Sequence, residues 1–224
     1  MKRVGILTRE ENLNNKKVLY IPKNIYNKLN GKAQVILIPF DFNDNFNKVK
    51  GIIDICDGII LPGGDDIYPL EIDVVKYLYK LDKPLLGICL GMQTMGVALN
   101  GKFGHLNTLE HKSKDKYVHS VDIYKDSLLY SIIGKKKIMV NSRHKDYVVS
   151  TDLNVGAVCN DIIEEVEDKT KKCFIGVQWH PEDLDDENSE KLFNFFINKR
   201  INKAERVNTV IIYPPTTLEE VNTL

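Results

Sequence analysis

Gly87-Ile88-Cys89-Leu90-Gly91 sets a cysteine between glycines two residues away on either side, the pattern of a nucleophile elbow. The apolar run 84–89 reads as a buried strand, and 90–99 reads as the helix that follows it. A strand turning abruptly into a helix forces the corner residue into a strained, usually positive-φ conformation. The two flanking positions then lie against neighbouring backbone, where a Cβ would clash. A sulfur at a helix N-terminus also faces unpaired N–H groups and the positive end of the helix dipole, which favour thiolate over thiol. The bland alternative is a buried structural cysteine, the common state of a free thiol. A partner base decides between the two.

Such a base stands 91 residues downstream, in Gly176-Val177-Gln178-Trp179-His180-Pro181-Glu182. His180 ends the strand-like run 172–179, and Glu182 follows with one proline between. Residues two apart in an extended segment point the same way. A carboxylate at Glu182 can therefore hold one ring nitrogen of His180 and leave the other to exchange a proton with Cys89. Pro181 fixes its own φ and restricts His180.

The elements that must position these groups are legible as a pattern. Residues 3–8, 33–39, 57–63 and 84–89 are continuous runs rich in Ile, Leu and Val, which is how strands buried on both faces read. Between them, 71–81 forms a helix with Ile72, Val75, Leu78 and Tyr79 on one stripe. The expected fold is α/β: a doubly wound, mostly parallel, flavodoxin-like sheet flanked by helices, with ligands at the carboxyl ends of the strands. The second half adds strands joined by polar turns, at 117–124, 137–142, 146–151, 155–160, 162–168 and 172–179. An amphipathic helix at 189–201 then buries Leu192, Phe193, Phe196 and Ile197.

The segments 87–93 and 176–182 resemble the two signature stretches of the class I glutamine amidotransferases, the group with a Cys-His-Glu triad, and 58–69 resembles that superfamily's glycine loop. The resemblance covers residues 3 to about 200. It is nearest the γ-glutamyl hydrolase branch, which cleaves amides such as γ-glutamyl-γ-aminobutyrate, because Asn141-Ser142-Arg143-His144 is similar to that branch's Asn-Ser-x-His segment. The resemblance implies that Cys89 attacks a γ-carbonyl, that His180 carries the proton and that Glu182 orients His180. It implies an oxyanion hole from the Leu90 amide and a Gly63 or Gly64 amide, and glutamyl-group contacts from Gln93, Asn141, Ser142 and His144. No metal or organic cofactor is implied.

The sequence departs from that branch in four places. Leu90 stands where a basic residue usually follows the nucleophile, as in amidotransferase subunits that feed ammonia to a synthase. The long insertion after the glycine loop is missing, and part of the usual pocket wall with it. Lys145 replaces a second histidine, and the glycine-rich stretch after the elbow helix is reduced to 100–108. Two readings follow: a stand-alone hydrolase releasing glutamate and an amine, or a glutaminase subunit passing ammonia to a separate synthetase. A catalytically silent binding member, or a redox sensor or chaperone with a cysteine elbow, fits less well with a complete Cys-His-Glu set.

The remaining composition is consistent with this reading. The 224 residues suit one domain, expected at 1–202, with an extension at 203–224 of unknown role. Thirty-one basic residues balance thirty-one acidic ones, so no global field points to nucleic acid or an anionic membrane. No run approaches the ~20 apolar residues that span a bilayer, and the start has too short an apolar run for a signal peptide. Four scattered cysteines without a Cys-x-x-Cys spacing fit neither a disulfide scaffold nor a structural zinc site, and a cytoplasmic location is expected. Cys56 and Cys159 read as core and Cys173 as a strand residue. His119 reads as a sheet residue, while His105 and His111 read as loop residues whose spacing suggests no metal site.

Overall fold

The computed structural model describes residues 1–41, 43–106 and 111–198. In chain order these form β1 (Lys2–Leu7), a hairpin β2 (Arg9–Leu13) and β3 (Lys16–Tyr20), α1 (Lys23–Leu29), β4 (Ala33–Ile38), α2 (Phe46–Ile55) and β5 (Gly58–Leu61). Next come α3 (Pro69–Lys80), β6 (Leu85–Ile88), α4 (Leu90–Ala98), β7 (Lys102–His105), β8 (His119–Ile123) and α5 (Leu128–Ile133). The chain continues with β9 (Lys137–Val140), β10 (Asp146–Ser150), β11 (Asn154–Cys159), β12 (Ile162–Glu167), β13 (Phe174–Val177), a 3-10 turn at Pro181–Asp183 and α6 (Glu187–Asn198). The proposed extension at 203–224 lies outside the described residues.

The four continuous apolar runs become β1, β4, β5 and β6. With β13 they form the parallel half of a nine-stranded sheet ordered β4-β1-β5-β6-β13-β12-β11-β8-β9. Alternate side chains of each strand enter opposite cores, as the period of two requires. Ile6, Ile60, Leu86, Ile88 and Val177 pack with Ile25 of α1, Leu129 of α5 and Phe193 of α6. Leu7, Ile59, Leu61, Leu85 and Phe174 pack with Val49 of α2, Val74 of α3 and Met95 of α4. The expected helix-covered, mostly parallel sheet is what forms. The stripe on α3 is shifted, however: Leu70, Val74, Val75 and Leu78 are buried, whereas Ile72 and Tyr79 are only half-buried. Tyr79 sits at the rim, edge-on to Phe174, with its hydroxyl donating to Asp168.

From β12 onward every pairing in the main sheet is antiparallel. The tract read as a loop around His105 is instead the short strand β7, paired with β10, and His105 is its last residue. Cys173 lies one residue before β13 rather than within it. All four cysteines are buried thiols.

β12 is unusual in burying Glu164, Glu165 and Glu167 completely. Glu167 accepts the Leu128 and Leu129 N–H groups at 2.7 and 3.1 Å, taking up orphan donors at the start of α5. Burial pushes the Glu165 carboxyl well above its ordinary range, and the charge and hydrogen bond of Glu167 push it further. A proton that the folded state keeps and the unfolded chain gives up makes stability fall as pH rises. That contribution is whole below about pH 4.5 and is lost as pH climbs through the folded value, at about 1.4 kcal/mol per unit. Glu165→Gln removes it. Melting curves from pH 5 to 9 should therefore diverge in the variant's favour as pH rises, and parallel curves would mean that Glu165 holds no such proton.

Candidate active site

Four neighbouring parallel strands, β1, β5, β6 and β13, end at one edge of the sheet, and each contributes a part of the site. β6 stops at Ile88 and α4 begins at Leu90, with Cys89 between them at φ 52°, ψ −107°. This corner is held from both sides: the Cys89 N–H donates to the Val177 carbonyl at 2.8 Å, and its carbonyl accepts the Gln93 N–H at 3.1 Å. Gly91 is required here because a Cβ at that position would stand 2.1 Å from the Leu61 carbonyl oxygen.

β13 runs parallel to β6 in the register Val177↔Ile88, so His180 emerges beside Cys89. Its Nδ1 lies 2.8 Å from Glu182 Oε1, and Glu182 is almost fully buried. Burial works to lower the imidazole's proton affinity. The hydrogen bonds with Cys89 and Glu182, together with the charge of Glu182, outweigh it and hold His180 protonated well above its ordinary range. An imidazolium held by a carboxylate on one side and standing beside Cys89 on the other is poised to donate a proton. Pro62-Gly63-Gly64 leaves β5 across the same corner: a Cβ on Gly63 would lie 2.8 Å from His180 Cε1 and 3.6 Å from Cys89 Cβ. Leu90, the first residue of α4, is buried against Gly64.

The four residues assigned to the glutamyl group have their side chains engaged within the protein. Gln93 donates to the Asp146 carbonyl at 2.7 Å and to Gln178 Oε1 at 3.2 Å. Asn141 clasps the backbone of His180, donating to its carbonyl and accepting its N–H, both at 2.8 Å. Asn141 follows β9, four strands from β13. At ~4.8 Å per strand a flat sheet would keep them far apart, so the antiparallel half curls back over the site. Ser142 donates to the His111 carbonyl at 2.6 Å. His144 Nδ1 lies 3.0 Å from the Asp146 carbonyl.

Sequence reasoning missed several contributors. Gln178 is fully buried and its amide nitrogen lies 3.5 Å from Cys89 Sγ. Its signal was present, since in the strand-like run read at 172–179 residue 178 falls on the same face as His180. Arg9 and Glu71, both buried, pair at 2.8 Å behind the glycine loop. No spacing links them, because they meet only through the topology.

A second cluster also needed the fold to assemble it. His111, read as an isolated loop residue, has Nδ1 3.2 Å from His144 Nε2 and 3.5 Å from Glu164 Oε1. His119 Nε2 lies 3.2 Å from the same oxygen. Burial raises the Glu164 carboxyl, but the three facing histidines outweigh it and hold it well below its ordinary range. His111, His144 and Glu164 could hold a cation, as could His111, His119 and Cys159, or His180, Glu182 and Asp183.

A parallel sheet of this order, with a cysteine elbow beside a strand ending in His-Pro-Glu, has the layout of the class I glutamine amidotransferase-like proteins. The chain belongs to the Peptidase C26 family, whose model matches residues 69–182. It is similar to Protein NtpR of Enterococcus hirae, at 32% identity over 66% of this chain and 76% of that protein. It is also similar to one of the subunits of the glutamine-hydrolyzing GMP synthase of Natronomonas pharaonis, at 33% identity over 62% of this chain and 73% of the other. The glutaminase domain of Trypanosoma brucei CTPS, solved with bound acivicin, shares the fold with a TM-score of 0.66 at 16% identity, covering 96% of this chain and 97% of that one. Among the described residues no helix is long and apolar enough to cross a membrane.

Proposed function

We propose that this protein hydrolyses a γ-glutamyl amide through a thioester on Cys89. The observation that carries the reading is the placement of Cys89 and of the Glu182-bonded His180 at the ends of adjacent strands, both against Gly63. The Cys89 sulfur attacks the γ-carbonyl, and the carbonyl oxygen takes up negative charge facing the backbone amides of Gly63 or Gly64 and Leu90. His180 gives its proton to the departing amine as the carbon–nitrogen bond breaks. Water then attacks the thioester, His180 accepts its proton, and the sulfur leaves as glutamate forms. Glu182 holds the imidazole in one orientation throughout. Gln178 donates to the sulfur, while Asn141 fixes the strand end that carries His180. Gln93 lies one helical turn from Cys89, where the glutamyl group is expected.

A second reading is a glutaminase subunit whose ammonia passes to a separate synthetase. Leu90 and the similarity to a GMP synthase component favour it. Purified protein offered glutamine and a panel of γ-glutamyl amines separates the two. A specificity constant about tenfold or more higher for one substituted amide supports the hydrolase. Preference for glutamine, enhanced by a co-purifying protein, supports the second reading. Turnover of no γ-glutamyl amide would sink both.

A further inference from the structure

Arg9, two residues past the end of β1 and the first of β2, turns its side chain under the glycine loop. Its Nε donates to the Gly63 carbonyl at 2.9 Å and its Nη2 to the Pro62 carbonyl at 2.6 Å. Nη1 pairs with Glu71 Oε1 at 2.8 Å, and neither side chain reaches solvent appreciably. The other oxygen of Glu71 accepts the Tyr68 N–H at 3.1 Å, tying the pair to the start of α3. A Cβ on Gly64 would lie 2.8 Å from Arg9 Nε, so the guanidinium packs directly on the loop's inner surface.

One rigid fork reaches two successive carbonyls only if both point to the same side of the chain. In a trans peptide the N–H lies opposite the preceding carbonyl. Holding the Pro62 and Gly63 carbonyls inward therefore turns the Gly63 and Gly64 N–H groups outward together. Successive N–H groups on one side make an anion-binding nest. Gly63 is also the residue that abuts Cys89 and His180. With its fork facing two carbonyls and its third nitrogen on Glu71, Arg9 is built to hold protein backbone rather than a substrate carboxylate.

We infer that Arg9, braced by Glu71, is the positioning residue that presets the Gly63–Gly64 amides for the oxyanion formed when Cys89 is acylated. This rests on the proposed thioester chemistry. It extends that chemistry to residues outside the loop and the triad.

The test compares two reactions of the same sulfur. Acylation by p-nitrophenyl acetate passes through a tetrahedral oxyanion, whereas alkylation by iodoacetamide displaces iodide and forms none. Cys89→Ala supplies the background for both. Arg9→Lys keeps the charge but loses the fork. The double variant Arg9→Met/Glu71→Gln leaves no buried charge unpaired and keeps an acceptor for the Tyr68 N–H, so it folds even where the single variant does not.

In both variants acylation should fall by about 100-fold, the scale of losing one oxyanion donor, while alkylation stays within about threefold. Turnover of a γ-glutamyl amide should show the same loss in kcat with KM little changed. Equal falls in acylation and alkylation, or parental acylation in the folded double variant, would overturn the assignment. A parent enzyme that turns over no γ-glutamyl amide would instead sink the proposed substrate, and the acylation-to-alkylation ratio would still read the nest.

Discussion

Cys89→Gly should abolish hydrolysis and yet give a protein about 1 kcal/mol more stable than Cys89→Ala. Cys89 sits at φ 52°, ψ −107°, a region in which only glycine rests easily. A non-glycine residue held there stores on the order of 1–3 kcal/mol. Glycine releases that strain but gives back about 0.4–1 kcal/mol through the freer unfolded chain. Both substitutions remove the sulfur and the packing it makes, so their difference reports the backbone together with one buried methyl. Loss of the nucleophile should lower turnover on the order of 10⁴-fold or more in each. Chemical denaturation of the two variants side by side measures the difference. Coincident midpoints would mean that the corner stores no strain and that its geometry is set by something other than the need to expose a sulfur.

The largest effect on folding is expected from Gly91→Ala. The new methyl would stand 2.1 Å from the Leu61 carbonyl oxygen and 2.8 Å from its carbonyl carbon. Neither atom can retreat, because Leu61 pairs with Gly87 across the centre of the sheet and its side chain is fully buried. The helix would have to lift away from β5, taking Met92 and Met95 out of the core. A loss of about 3 kcal/mol or more follows, in the range reserved for severe core disruption. Gly51→Ala is the control: on the exposed side of α2 no atom lies within 4 Å of the new methyl, and helix propensity alone favours it by about 0.5–1 kcal/mol. A Gly91→Ala protein as stable as its parent would show that the elbow is far softer than its contacts indicate.

What the sequence revealed and what it hid divide along a physical line. Strands buried on both faces announce themselves as unbroken apolar runs, and β1, β4, β5 and β6 lie where those runs lie. Cys89, His180 and Glu182 were legible because each belongs to a short segment whose local geometry restricts its neighbours. Arg9 carries no such local mark. It is one charged residue in a polar stretch, and its partners lie 53 and 54 positions away. The histidine cluster is the same case, assembled from β8, β12 and two loops. The hairpin β2–β3 was hidden because most of its residues are exposed, leaving no burial pattern to read. The stripe on α3 slipped because a tyrosine on a helix can lie on a core's rim and still send its hydroxyl outward.

β13, made after residue 173, is inserted between β6 and β12 rather than added at a margin. During synthesis the first hundred residues therefore present β6 as an unpaired central edge until almost the whole domain has left the ribosome. Such edges invite association with other chains, so the nascent polypeptide should depend on chaperones until β13 docks. The same order of assembly is a safeguard. Cys89 is translated long before His180, and until then no partly made chain holds both halves of the proposed proton relay.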